Sequence, residues 1–255
     1  MKNNIKIVRR IDDSTGCEYI FTTIKKKIDE NKSFMPRIKL TNEVFSLSTS
    51  LIDYVKGKNI PYAINAGIFN TKTLEPECVL IIDNKIIYDR KETYIHVNPN
   101  DGDEKRDVLY TLGINKSGDF KMYKPCFSAK EILNDGCQDA VMGFVPLIID
   151  YEEFKDGDDI VPYGSRIDKP RQIVGQLKNG DYYILTAKAP GLTFQTSRDL
   201  LKKLDVPFAY DLDGGSSTQT TFFDERLTPV YRDVTGRKIP TIMTYDDVIK
   251  SAPAV

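Results

Sequence analysis

At 255 residues the chain is long enough to bury one large core or two small ones, and its 40% apolar and 29% charged content is that of a soluble globular protein. Its 36 Lys and Arg stand against 37 Asp and Glu, a formal net charge of −1, so no global field recruits nucleic acid or an anionic membrane. No apolar run approaches the roughly 18 residues of a membrane span, and the first ten residues lack the apolar centre of a cleaved signal peptide. These features point to a cytoplasmic protein, or to a virion-associated one if the chain is of phage origin. Cys17, Cys78, Cys126 and Cys137 show no Cys-x-x-Cys spacing and are too sparse for a disulfide framework, so reduced, buried thiols are expected. With one histidine, a zinc centre is not expected either.

In chain order, residues 5–11 and 19–24 are β-rich runs around Asp12-Asp13-Ser14-Thr15-Gly16, the pattern of a hairpin. With the charged loop or short helix at 25–32 it makes an N-terminal β-hairpin extension over 1–36. A strand follows at 37–40, and Ser48, Thr49 and Ser50 offer an N-cap for a short helix carrying Leu51, Ile52 and Val55 and stopped by Gly57. Residues 61–64 read as a buried strand that opens into Asn65-Ala66-Gly67-Ile68-Phe69-Asn70. Two apolar runs around Asp83-Asn84, over 78–88, predict a hairpin. After a loop at 98–103, strands at 108–114 and 120–123 predict another, and His96, in the strand-like 94–97, fits a structural or exposed position.

Ser128 caps a short helix over 129–133, and 140–149 form one apolar strand region around Gly143 and Pro146. A loop at 163–170 leads into a strand at 171–177, a turn at 178–181 and a strand at 182–187. Helical spacing runs from Leu192 to Leu204, a strand enters at 206–209, a β-rich run follows at 220–223, and a last strand covers 237–244. Strand pairs predominate. The expected fold class is α+β, a mixed α/β domain built mostly of antiparallel or mixed sheet with a few short helices, in one domain over 1–255.

Chemistry concentrates where the strand at 206–209 ends in Asp211-Leu212-Asp213-Gly214-Gly215-Ser216-Ser217-Thr218. If the strand continues, Asp211 and Asp213 share one face while Tyr210 and Leu212 take the other. Two carboxylates side by side repel unless something cationic, protonated or metallic answers them. The glycines permit close approach of a ligand to the backbone, and the three hydroxyls beside exposed N–H groups suit an anion such as phosphate. An ordinary hairpin turn uses the same residues, and this segment alone does not choose between the two. The turn at 65–70 is a second site of this type: Asn65 carries donors and an acceptor in one plane, with an Asx turn as the competing reading. Arg171 opens a central-looking hairpin, where its guanidinium could fork onto phosphate or simply face solvent.

The order of these pieces resembles the phosphodiester glycosidase family. The likeness spans roughly 37–244 and rests on four motifs. Ile64-Asn65-Ala66-Gly67-Ile68-Phe69 is similar to the family's Asn-Ala-Gly-x-Phe turn. Pro170-Arg171 with Val174-Gly175 is similar to its Pro-Arg-Thr-Ala-x-Gly. The Asp211 to Thr218 stretch is similar to its Asn-Leu-Asp-Gly-Gly-Gly-Ser-Ser-Thr, and Arg237-Lys238-Ile239-Pro240-Thr241 to its Arg-x-Val-Pro-Asn. The chain departs at Asp211, which replaces Asn, at one missing glycine, at Gln172-Ile173 in place of Thr-Ala, and at 187–189, where the family often has an Asp-Gly turn.

The resemblance implies hydrolysis of a glycosyl phosphodiester between anomeric carbon and phosphate oxygen. In that reading Arg171, Arg237 and the backbone around Gly214, Gly215, Ser216 and Ser217 hold phosphate, with Thr218, Gly67 and Phe69 completing the substrate site. Asp213 stabilises an oxocarbenium or activates water, and Asp211 or Asn65 orients sugar hydroxyls. No cofactor is required, although Asp211 and Asp213 would be the ligands of a Ca²⁺ or Mg²⁺ ion in a metal-assisted variant. The partner implied is a small or polymeric glycosyl phosphate. A reading of another class is a non-catalytic carbohydrate- or nucleotide-binding module, such as a phage tail component, that keeps the fold without turnover. Sugar, aglycone and oligomeric state stay open.

Overall fold

A computed structural model describes residues 2–77, 79–89, 95–97, 104–106, 109–155, 168–228 and 236–249, with the backbone alone at 2, 95–97, 104–106 and 247–249. Cys78, the loop at 98–103, the strand start at 108, most of the loop at 163–170 and the side chain of His96 lie outside the described residues. A seven-stranded sheet runs in the order β1 (Ile5–Ile11), β2 (Glu18–Ile24), β15 (Tyr182–Leu192), β14 (Lys169–Gln176), β16 (Phe208–Asp211), β12 (Pro146–Ile149), β13 (Glu152–Glu153). A five-stranded sheet runs β10 (Phe120–Tyr123), β9 (Thr111–Asn115), β11 (Cys137–Met142), β5 (Leu80–Ile82), β6 (Lys85–Tyr88). A second five-stranded sheet runs β18 (Glu225–Arg226), β17 (Thr220–Phe222), β4 (Tyr62–Asn65), β19 (Thr241–Ile249), β3 (Lys32–Leu40), and β7 (Ile95–Val97) pairs with β8 (Glu104–Arg106). The helices are α1 (Leu51–Val55), α2 (Ala129–Asn134) and α3 (Phe194–Lys203), with N-caps Ser50, Ser128 and Thr193. The fold is thus sheet-dominated, antiparallel in its described pairings, with few helices, as expected.

Strict alternation along the central strands builds the layers. Tyr183, Leu185 and Ala187 of β15, Ile173 of β14 and Ala209 of β16 pack with Phe194, Leu200 and Leu201 of α3 on one face of the large sheet. Tyr182, Ile184, Val174, Tyr210 and Leu212 point the other way, into a core shared with Ile38, Tyr62, Ile64, Met243, Leu112, Ile114 and Val141 of the two smaller sheets. Each fully buried Ile, Leu, Val or Phe contributes about 1.5–3 kcal/mol. The outer faces of the smaller sheets are covered by α1, through Leu51 and Val55, and by α2, through Ala129 and Ile132. None of the described helices is long and apolar enough to cross a membrane.

Several elements differ from their expected bounds. Residues 140–149 are not one strand region: β11 ends in one sheet and β12 begins in another, because the chain crosses beneath β16 at Gly143. The Gly143 N–H donates to the Tyr210 hydroxyl at 2.7 Å, and a Cβ there would stand 2.7 Å from the Asp211 carbonyl oxygen. β15 runs on to Leu192, so helix α3 starts at Phe194, where Thr193 and Thr196 form a reciprocal cap. The strand foreseen at 37–40 is longer, pairing with β19 from Lys32 onward. The last strand begins at Thr241, leaving Arg237 and Lys238 in the segment before it, where Gln219 Nε2 takes the Arg237 carbonyl at 2.8 Å. The N-terminal hairpin joins the large sheet through β2 and β15. Cys17 and Cys137 are buried free thiols, whereas Cys126 is exposed.

The crossing at Gly143 generates the first prediction. Gly143→Ala forces a methyl against the backbone of Asp211 and Leu212 and is expected to cost about 1–3 kcal/mol, read as a lowered melting temperature; an unchanged melting temperature would show that the crossing has slack.

Candidate functional site

The backbone leaving β16 is held from three directions. Asp211 N–H donates to the Val145 carbonyl at 3.0 Å and its carbonyl accepts from Phe144 N–H at 2.8 Å, both in the β11–β12 connection. Leu212 N–H donates to Gln172 of β14 at 2.8 Å, and Asp213 N–H donates to Ala66, beyond β4, at 3.0 Å. Ala66 in turn donates to Thr241 O at 3.1 Å, and Ile68 to Met142 O at 3.0 Å. The two expected strand-end turns therefore meet at the junction of the three large sheets.

Tyr210 and Leu212 face the core between the sheets, and Asp211 faces the α3 side, as period two requires. Asp211 is fully buried, with Arg171 Nη1 donating to its Oδ2 at 3.2 Å. Arg171 is not a surface residue: it too is buried, donates Nε to the Leu192 carbonyl at 2.8 Å, and lays its guanidinium 4.5 Å from the centre of the Phe194 ring. Burial pushes the Asp211 carboxyl up to about 7, against the pull of Arg171 and Arg198 and with a push from Asp213. Its Oδ1 meets no hydrogen-bond partner among the described residues. This pair forms the sealed floor of the site.

Asp213 stands beyond the strand end and is partly open to solvent. Protein packed around it raises its carboxyl to about 6, while a hydrogen bond from Ser217, the charge of Arg237 and the Gly214 N–H act in the opposite direction, and the charge of Glu77 adds to the rise. Arg237 Nη1 donates to Ser217 Oγ at 3.4 Å, so carboxylate, hydroxyl and guanidinium form one chain. Gly215 takes a left-handed φ of +60°, and nothing lies within 4 Å of where its Cβ would be. The turn is open at that point. Ser216 beside it is half-buried, and Ser217 and Thr218 are buried.

Other expected residues turn out to build the frame. The Asn65 amide is committed to backbone, Nδ2 donating to Asp213 O at 2.6 Å and Oδ1 accepting from Gln219 N–H at 3.0 Å. It fastens the Asp213 turn, with one bond made at each of its polar atoms. Gly67 is small because Val141 Cγ2 would stand 2.6 Å from its Cβ, and Gly214 because the Pro170 carbonyl would stand at 2.7 Å. Phe69 packs with α1 residues in the outer core. Two charged residues were not foreseen. Lys169 opens β14 two residues before Arg171, its ammonium lowered by burial and by Arg171, with Asp213 opposing; the register shifts between the two, so period two from Arg171 does not place it. Glu77 is half-buried in an aperiodic loop, which no sequence pattern places here. Among the described residues no group of three or more His, Cys, Asp or Glu is arranged to hold a metal, and one oxygen of Asp211 is engaged by Arg171.

The phosphodiester glycosidase family matches residues 58–244 of the chain. Among solved structures, the zebrafish N-acetylglucosamine-1-phosphodiester alpha-N-acetylglucosaminidase catalytic domain, auto-inhibited by its pro-peptide, is similar with a TM-score of 0.67 at 19% identity, over 98% of this chain and 83% of that one. A hypothetical protein from Synechocystis is similar with a TM-score of 0.69 at 13% identity, over 97% of this chain and 62% of that one. An exported protein from Burkholderia pseudomallei gives 0.58 at 8% identity, over 90% and 74%. At these identities the likeness is one of fold. No curated protein matches the chain.

The raised Asp211 carboxyl has a pH consequence. Between the ordinary value of 3.8 and about 7 the folded chain keeps a proton that the unfolded chain releases, so this group makes stability fall as pH rises through that window. Asp211→Asn should flatten that part of the melting-temperature profile; a variant whose profile parallels that of the parent would show that Asp211 is already ionised at low pH.

Proposed function

The chain belongs to the phosphodiester glycosidase family, and from that premise we propose that it hydrolyses a glycosyl phosphodiester, with Asp213 at the reacting carbon and Arg237 on the phosphate. The observation that carries this reading is the half-buried carboxylate of Asp213 linked through Ser217 to Arg237, beside a glycine turn with free space above it. A negative group and a positive group at fixed separation suit a substrate that develops positive charge at its anomeric carbon and bears negative charge on the adjoining phosphate. In the reaction the bond from the anomeric carbon to the phosphate oxygen breaks, and its electron pair leaves with the phosphate. Phosphate is a stable leaving group, so charge neutralisation and positioning outweigh acid assistance. Arg237 and the backbone at Gly215 and Ser216 take the phosphate, Lys169 adds positive potential, and Asp213 in its ionised form lies against the oxocarbenium. The sealed Arg171–Asp211 pair sets the field beneath without touching substrate.

The alternative of a binding module without turnover makes the opposite forecast in the same assay. A panel of glycosyl-1-phosphodiesters, including nucleotide sugars and teichoic-acid fragments, followed by phosphorus NMR, is expected to show release of a phosphomonoester. Asp213→Asn should fold normally and lose about 10²–10⁴-fold in kcat, while Arg237→Met should mainly raise KM. Tight binding of the panel with no product from the parent protein would favour the binding module, and full activity in Asp213→Asn would remove Asp213 from the chemistry. Because Asp213 works ionised, kcat/KM should rise as pH rises through about 6.

A further inference from the structure

One carboxyl in this region has no assigned work. Phe69 and Pro76 form an antiparallel bridge, and Asn70 N–H donates to Glu75 O at 2.9 Å, which sets Glu77 opposite Ile68. Ile68 is two residues along the turn from Ala66, whose carbonyl receives the Asp213 N–H at 3.0 Å. The segments that carry Glu77 and Asp213 are thus both tied by backbone to the turn at 66–70, and the charge of Glu77 is felt at Asp213. A carboxylate serving the fold at half-burial would be answered by a cation or a donor. Burial pushes the Glu77 carboxyl up, and among the described residues no ion pair or hydrogen bond answers it.

We propose that Glu77 is the second working carboxyl of the site and takes the proton from the water that attacks the anomeric carbon. The inference rests on the glycosidase reading above and extends it. With phosphate departing unaided, the group still in need of a proton carrier is water, which must lose a proton as its oxygen bonds to carbon. Water oxygen bonds to the anomeric carbon, the carbon–oxygen bond to phosphate breaks with its pair going to phosphate, and one water proton passes to Glu77 and from there to solvent. Asp213 supplies charge and Glu77 supplies basicity, a division that two carboxyls in unlike surroundings can sustain.

The test compares Glu77→Gln and Glu77→Ala with the parent on the glycosyl phosphodiester that the parent turns over best, with melting temperature as the check on folding. Glu77→Gln should keep KM within a few-fold and lose about 10²–10⁴-fold in kcat. Added azide, a nucleophile with no proton to lose, should restore turnover in Glu77→Ala and yield a glycosyl azide, which a merely structural carboxyl would not produce. Undiminished kcat in Glu77→Gln, or a loss in folded Glu77→Ala that azide does not repair, overturns the role of Glu77 and leaves the glycosidase reading intact. A parent protein that cleaves none of the panel overturns that reading and this role with it.

Discussion

The three residues from Asp211 to Asp213 leave one sheet while bonded to the β11–β12 connection, to β14 and to the turn after β4. Each of these bonds is made by backbone in the core, where an unpaired amide or carbonyl costs a few kcal/mol. The path of the chain is therefore over-determined at the candidate site. Gly143 stands where the crossing chain passes under Asp211 and Leu212, and Gly214 where Pro170 presses on it. The Asn65 amide closes the same knot from the side. Freed of such constraints, Gly215 and Ser216 form the open rim.

Within that frame the two aspartates are separated by environment. Asp211 is sealed beside a buried arginine that stacks on Phe194, and Asp213 reaches solvent beside Ser217 and Arg237. Losing one member of a buried pair costs about 3–5 kcal/mol, far more than an exposed pair contributes. By this measure the Arg171–Asp211 pair carries structural weight, and Asp213 is the carboxyl to which the proposed reaction assigns chemistry. An Asp stands here in place of the Asn of the similar motif: Arg171 donates to its carboxyl at 3.2 Å, and burial holds its proton up to about pH 7. Gln172, another departure, is likewise absorbed, with its amide between Thr186 and Thr220 at 3.0 and 3.2 Å.

Much of this was legible in the residues. Asp83-Asn84 took the left-handed turn that their hairpin needs, both with positive φ, and Ser50 and Ser128 capped the helices that their positions announced. Period two placed Tyr210 and Leu212 together in the core opposite Asp211. What stayed hidden were matters of tertiary path. The run at 140–149 carries no local sign that it changes sheets, since apolar residues serve both. Arg171 gave no sign of burial because its partners, Asp211, Leu192 and Phe194, are remote in sequence. Glu77 is positioned by one bridge between Phe69 and Pro76, a pairing without periodicity.

The proposed reaction breaks the bond between sugar carbon and phosphate oxygen at a carboxylate. Turnover in ¹⁸O-labelled water, followed by phosphorus NMR, measures that bond directly. Cleavage at carbon leaves the released phosphomonoester free of label and its resonance unshifted, which is the result the account predicts. An isotope-shifted phosphorus signal would mean that water had attacked phosphorus, and would contradict it.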